Sequence, residues 1–243
     1  MFGYSFDKKY IYAILAILAV SVLVQYSSNQ LLGLLYSLPG ILIAISFHEY
    51  AHALAAVKLG DETPRNQGRL TLNPLNHIDP VGFILLLFAG FGWGKPVQTN
   101  PSRYNRNIDM AKGEAIVSFA GPAMNFFLAI IFSIVTALVM KYASIGFAIS
   151  NLGIVLITVL QDIVIVNVGL GVFNLIPLPP LDGSKILKNF LSFNTRRKFE
   201  ENEHFFYIIF LALWITGLAG TIISPAINYI YKGITKVIWS IVF

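Results

Sequence analysis

The sequence predicts an all-α polytopic membrane protein: about six transmembrane helices, with a re-entrant or short β segment between the second and third. Three observations lead there. Of 243 residues, 56% are hydrophobic and 12% charged, with a mean hydropathy of +0.70. A soluble domain carries about 25% charged residues, and half that supply cannot coat a surface facing water. Six apolar stretches recur along the chain, matching the roughly 20 helical residues that cross a hydrocarbon core of about 30 Å. The basic residues sit in the gaps between those stretches. No long polar tract leaves room for a separate soluble domain, so residues 1–243 read as one transmembrane domain, without internal repeats.

The first stretch runs from about Tyr10 to Val24 and is short; the second, from about Leu31 to Leu59, ends at Gly60. The segment from Asp61 to Asn100 is more than a plain loop. Arg69-Leu70-Thr71-Leu72 reads as a short strand, broken by Asn73-Pro74. Val81 to Ala89 is apolar but too short to span, which suggests a re-entrant or interfacial segment. Gly90, Gly92, Gly94 and Pro96 mark tight turns around Trp93, whose indole suits the interface. The third stretch covers about Ala111 to Met140 and the fourth about Ile145 to Ile176. The fifth covers about Phe205 to Ile223; the sixth, after Pro225, runs from Ala226 to Phe243 and carries Lys232 and Lys236.

Charge orients this bundle. Arg65, Arg69, Lys95, Arg103 and Arg106 fall in one connecting segment, and Lys185, Lys188, Arg196, Arg197 and Lys198 in another. With Lys8 and Lys9, all lie on one side, and Lys141 is the basic residue of the opposite links. The positive-inside rule makes the basic side cytosolic, together with both termini. The net charge of +5 is not gathered into a patch, which argues against nucleic acid as a partner and for the lipid bilayer. With no cysteine in the chain, any metal must be held by His, Asp or Glu.

The decisive motif is His48-Glu49-Tyr50-Ala51-His52, within the second stretch. On a helix, positions i and i+4 share a face, so both imidazoles reach one zinc ion. Glu49 lies about 60° from His52 around the helix, at about 100° per residue, where its carboxylate can serve as general base toward water at the metal. Lone helical histidines usually just pack, but a chance match to the full motif from this composition is roughly one in several hundred. The motif lies about 14 Å inside the cytosolic helix end, where ionisable residues are costly and tend to be functional.

Two histidines leave a catalytic zinc one protein ligand short. Asp162, Asp182, His77, Asp79 and His204 are candidates. Asp182 is favoured: it closes Asn174-Leu175-Ile176-Pro177-Leu178-Pro179-Pro180-Leu181-Asp182-Gly183, where the prolines leave an extended segment able to fold back toward the second span. In isolation Asp182-Gly183 would be a turn or a helix cap. Asp162, deep in the fourth stretch, is read as a protonated or paired bundle residue, with a water gate or the third ligand as alternatives. His77 and Asp79 are expected to shape their loop, and His204 to be solvated. Asn125 and Asn174 are candidate substrate-binding amides, against the alternative that each ties helices together.

The His-Glu-x-x-His helix followed by Asn-x-x-Pro-x-Pro-x-Leu-Asp-Gly resembles the site-2 protease family of intramembrane metalloproteases. Gly121-Pro122-Ala123-Met124-Asn125 and Trp93-Gly94-Lys95-Pro96 match further, and the likeness covers about Leu31 to Leu187. The resemblance implies that Asp182 is the third zinc ligand and Glu49 the catalytic base. It implies as substrates single-span membrane proteins, cut within or near their membrane helix, as in regulated intramembrane proteolysis. No PDZ or CBS domain fits in this sequence, so the form expected is the minimal one. A substrate helix must unwind before attack, and the expected strand Arg69–Leu72 offers an edge for the unwound segment. Two rivals remain. A metal transporter needs several weak sites along a route, where this chain offers one compact cluster. A non-cutting scaffold has no use for Glu49.

Overall fold

The structure, a computed structural model, describes residues 28–89 and 94–243. The first apolar stretch, Tyr10–Val24, and Trp93 lie outside the described residues. The described residues are helical throughout apart from loops and turns. The main helices are α1 (Ser28–Lys58), α2 (Pro80–Ala89), α3 (Met110–Tyr142), α4 (Asn151–Asn174), α5 (Asp182–Phe190), α6 (Phe193–Glu201), α7 (Glu203–Ile215) and α8 (Leu218–Val242).

Among the described residues three helices are long and apolar enough to cross a membrane: Leu31–Lys58, Met110–Tyr142 and Asn151–Asn174. They coincide with the second, third and fourth apolar stretches. Local chemistry sets their ends. Asp109 caps α3 by accepting from the backbone N–H of Ala111 and Lys112, and Ser150 caps α4 through Gly153 N–H. Beyond Lys58 the chain reverses at Gly60, whose φ of 104° suits glycine, and a Cβ there would sit 2.8 Å from Asn105 Oδ1.

These three helices form the heart of the bundle. Gly40 of α1 lies against Ile163 of α4, while His52 of α1 meets Val117 of α3 and Ala44 meets Asn125. Thus α1 and α4 run in one direction and α3 in the other. The contacts are made through small residues, as is usual where lipid removes the hydrophobic drive between helices. Ala44, Ala53, Ala56, Ala129 and Ala137 are fully buried, and a Cβ on Gly40 would come within 3.1 Å of Ile163 Cα.

The last two apolar stretches depart from expectation. Instead of two spans divided at Pro225, the structure has α7 and α8, bent by 80° at Thr216–Gly217, a pair with the geometry of a broken span or of a re-entrant loop. Gly217, at a φ of 73°, makes the break, and Pro225 sits inside α8. Proline is tolerated in membrane helices, where neighbours satisfy the freed carbonyls, and Pro39 and Pro122 likewise lie inside α1 and α3. Helix α8 runs antiparallel to α4, with Ile227 near Gly169, and Lys141 Nζ donates to Val242 O. The chain therefore ends beside the Tyr142 end of α3, not on the Lys58 side where the sequence placed it.

The expected strand Arg69–Leu72 is also absent. Its four residues form a bend, and the Arg69 guanidinium turns inward to the carbonyls of Asn76 and Lys95. The one isolated β-bridge among the described residues pairs Ile78 with Gly94 instead. Val81–Ala89 falls within the short helix α2, whose first turn is capped by the Asp79 carboxylate.

Candidate metal centre

His48 and His52 lie one turn apart on α1, both buried, with Nε2 atoms 2.9 Å from each other. Asp182 opens α5. Helix α4 ends at Asn174, the chain turns through Leu175–Leu181 with a cis Pro179–Pro180 bond, and α5 starts. The turn is tight: a Cβ on Gly183 would overlap the carbonyls of Leu175 and Ile176. This brings Asp182 Oδ2 to 3.1 Å from both histidine Nε2 atoms. Among the described residues this trio forms a group of ligand atoms close enough to hold one metal ion.

Hydrogen bonding fixes which ring atoms carry protons. His52 Nδ1 lies 2.7 Å from the carbonyl of Val117, an acceptor only, so Nδ1 donates. His48 Nδ1 lies 2.7 Å from Asn125 Oδ1. The amide orientation is settled because Asn125 Nδ2 donates to the carbonyl of Ala44 and to Asn167 Oδ1. Both rings therefore present bare Nε2 lone pairs toward each other and toward a carboxylate. Three converging lone-pair donors call for a cation between them. A tetrahedron with about 2.0–2.1 Å bonds has edges of roughly 3.3–3.4 Å, a few tenths above the separations seen. The donor set fits a zinc ion.

The site also depends on the close approach of α3. A Cβ on Gly121 would lie 2.5 Å from His52 Nε2 and 2.6 Å from His48 Cε1. Only glycine lets α3 lie this near, which gives the Gly121-Pro122 motif a steric reason. Glu49, half-buried beside the cluster, accepts a 2.8 Å hydrogen bond at Oε2 from Val97 N–H.

The other predicted residues separate. Asp162 lies outside the trio, on α4 near Gly40. His77 is fully buried but bonds through Nε2 to Thr71 O, and His204 is exposed. Asn125, expected to meet substrate, is fully enclosed; its Oδ1 serves His48 and its Nδ2 serves Ala44 and Asn167. Its place is behind the ligand, where it sets the ring. Asn174 stays half-buried at the end of α4, bonded to Leu170 O. Sequence reading missed Asn167, fully buried and bonded to Asn125 and Ile163 O. A mid-span amide seven residues before Asn174 was the available signal.

Asn125→Leu, close to Asn125 in size, is expected to lower zinc affinity roughly 10–100-fold, as loss of a partner to a ligating histidine does. Competition with a chromogenic chelator measures it, and unchanged affinity would remove Asn125 from the support of His48.

The family model described as peptidase family M50 matches residues 36–217. A Bacillus subtilis protein named "Putative zinc metalloprotease YwhC" is 38% identical over 188 residues, covering 77% of this chain and 84% of that protein. "Putative zinc metalloprotease Rip2" of Mycolicibacterium smegmatis is 32% identical over 195 residues, 78% of this chain and 67% of its own. Its Mycobacterium tuberculosis namesake is 27% identical over 201 residues. No solved structure matches the chain.

Proposed function

The chain belongs to peptidase family M50, and on that premise we propose that it is an intramembrane zinc metalloprotease cutting single-span membrane proteins within or near the bilayer. The observation that carries the reading is the convergence of Asp182 Oδ2 on His48 Nε2 and His52 Nε2, which lie with Glu49 inside an apolar span. The chain is an integral membrane protein, and the basic segments on the cluster side support a site that faces the cytosol.

His48, His52 and Asp182 would hold the metal. Bound there, zinc would supply Lewis acidity, which makes water nucleophilic near neutral pH and polarises a carbonyl. Glu49 takes the proton of the attacking water and returns it to the leaving amine. Val117 O and Asn125 keep the imidazoles in the tautomer that faces the metal. Asn174, at the end of α4, is the amide proposed to bind the substrate backbone. A compact cluster with a carboxylate base next to it does not suit an ion pathway or a non-cutting scaffold.

The test is cleavage of a panel of single-span reporter proteins in proteoliposomes. Cleavage is expected, to be lost with a zinc chelator, and to return on adding zinc alone. Cleavage unaffected by complete removal of metal would end this reading, and zinc transport into the vesicles without cleavage would favour the ion pathway.

A further inference from the structure

Among the described residues, three buried acidic or basic side chains outside the metal cluster remain without a role in the chemistry above: Asp61, Arg69 and His77. Asp61 and His77 are fully buried and Arg69 nearly so. None of them touches the cluster. All three converge on one stretch of chain, the extended segment from Gly94 to Asn100.

Lys95 N–H donates to His77 O at 2.7 Å, and the Arg69 guanidinium reaches the carbonyls of Lys95 and Asn76. His77 is itself anchored through Nε2 to Thr71 O. At the other end Asn100 N–H donates to Asp61 Oδ2 at 2.6 Å, while Asp61 Oδ1 takes Thr63 N–H and Oγ1. At the near end the strap packs tightly: a Cβ on Gly94 would sit 3.0 Å from His77 O and 3.2 Å from Ile45 Cγ2. Between these two clamps, Val97 N–H donates to Glu49 Oε2 at 2.8 Å.

We infer that the strap Gly94–Asn100 is a positioning device, and that Val97 N–H fixes the Glu49 carboxylate for proton transfer. The inference rests on the reading of Glu49 as general base. A glutamate turns about three side-chain bonds, and a free carboxylate spends little time aimed at one proton. An N–H to a charged oxygen is among the stronger hydrogen bonds and is directional. Holding Oε2 leaves Oε1 as the oxygen free to take the proton. A backbone donor suits this task because it cannot rotate away, provided the backbone itself is clamped. Asp61 and Arg69 supply the clamp through side chains that meet backbone groups of the strap, and His77 through its backbone carbonyl. Val97 acts here through its peptide group, so its side chain can carry no signature of the role.

The experiment replaces the Val97 residue in the full chain by its α-hydroxy analogue, which exchanges one N–H for an ester oxygen and keeps the side chain. The same exchange at Gln98, whose N–H makes no hydrogen bond among the described residues, is the control. Reporter cleavage in proteoliposomes and bound zinc are measured for both. The Val97 ester is expected to lower kcat on the order of 10-fold or more, the scale of losing a group that orients a catalytic one. KM and zinc content should hold, and the Gln98 ester should cleave as wild type. Val97→Pro removes the same N–H by other chemistry and should lose kcat likewise. A Val97 ester as active as wild type overturns the inference, provided Glu49→Gln is inactive; if Glu49→Gln is also active, it is the general-base reading that fails. A Val97 ester with raised kcat would make the strap a cover over the site and overturn the inference as well.

Discussion

Glu49→Gln is expected to abolish cleavage while leaving zinc in place. Glutamine keeps the volume of the side chain, and its carbonyl oxygen can still accept from Val97 N–H, so the local packing survives. What it loses is the ability to take a proton. General-base catalysis is worth about 10²–10⁴-fold, and the same group is needed again to protonate the leaving amine. The drop in turnover should therefore reach at least that range. Glu49 is not one of the three converging ligand atoms, so metal content should match wild type. Turnover of a reporter in proteoliposomes, together with zinc per polypeptide by elemental analysis, decides it. Residual cleavage within about tenfold of wild type would show that the base lies elsewhere.

The second large effect separates two aspartates. Asp182→Asn is expected to lose both zinc and cleavage, whereas Asp162→Asn keeps both. Asp182 Oδ2 supplies the one negative charge among the three converging donors, 3.1 Å from each histidine nitrogen. A neutral amide in its place offers a weaker ligand oxygen, and its NH₂ end can turn toward the cluster. Zinc affinity should fall by more than the roughly 10–100-fold expected when a group behind a ligand is removed. Asp162 stands on α4, beside Gly40, apart from the trio. Chelator competition on the two variants tells them apart, and zinc lost from Asp162→Asn but retained in Asp182→Asn would reverse the assignment.

The spans that hold the site were legible because lipid leaves few choices. A helix in hydrocarbon must be apolar over its length and must satisfy its own backbone. The apolar stretches that became α1, α3 and α4 show this directly. The His48–His52 pair was legible for a similar reason, since helical period alone puts both rings on one face. The approach of Asp182 was a different matter. It lies 134 positions from His48, and only the folded turn after Asn174 brings it there. Val117 escaped notice because it serves His52 with a carbonyl, which every residue has. Asn125 showed itself as a polar residue in a span, but which of its neighbours would claim the amide depended on packing.

Two errors share a cause: rules drawn from water-soluble proteins. A break at Pro225 is the expectation from soluble helices, yet α8 carries the proline through and Gly217 makes the bend. A short strand over Arg69–Leu72 is the other such expectation. Arg69 instead found two carbonyls to cap in the turn below the bundle, and its neighbours followed.

The broken α7–α8 span has a practical corollary for topology. Because Val242 meets Lys141 at the far end of α3, Phe243 and Asp182 stand on opposite faces of the membrane if the pair crosses it. An enzyme tag joined after Phe243 would then report the compartment away from the cluster, and one inserted near Gln67 would report the compartment beside it. Fusions of this kind would also show where a partner recruited by either face would have to reside.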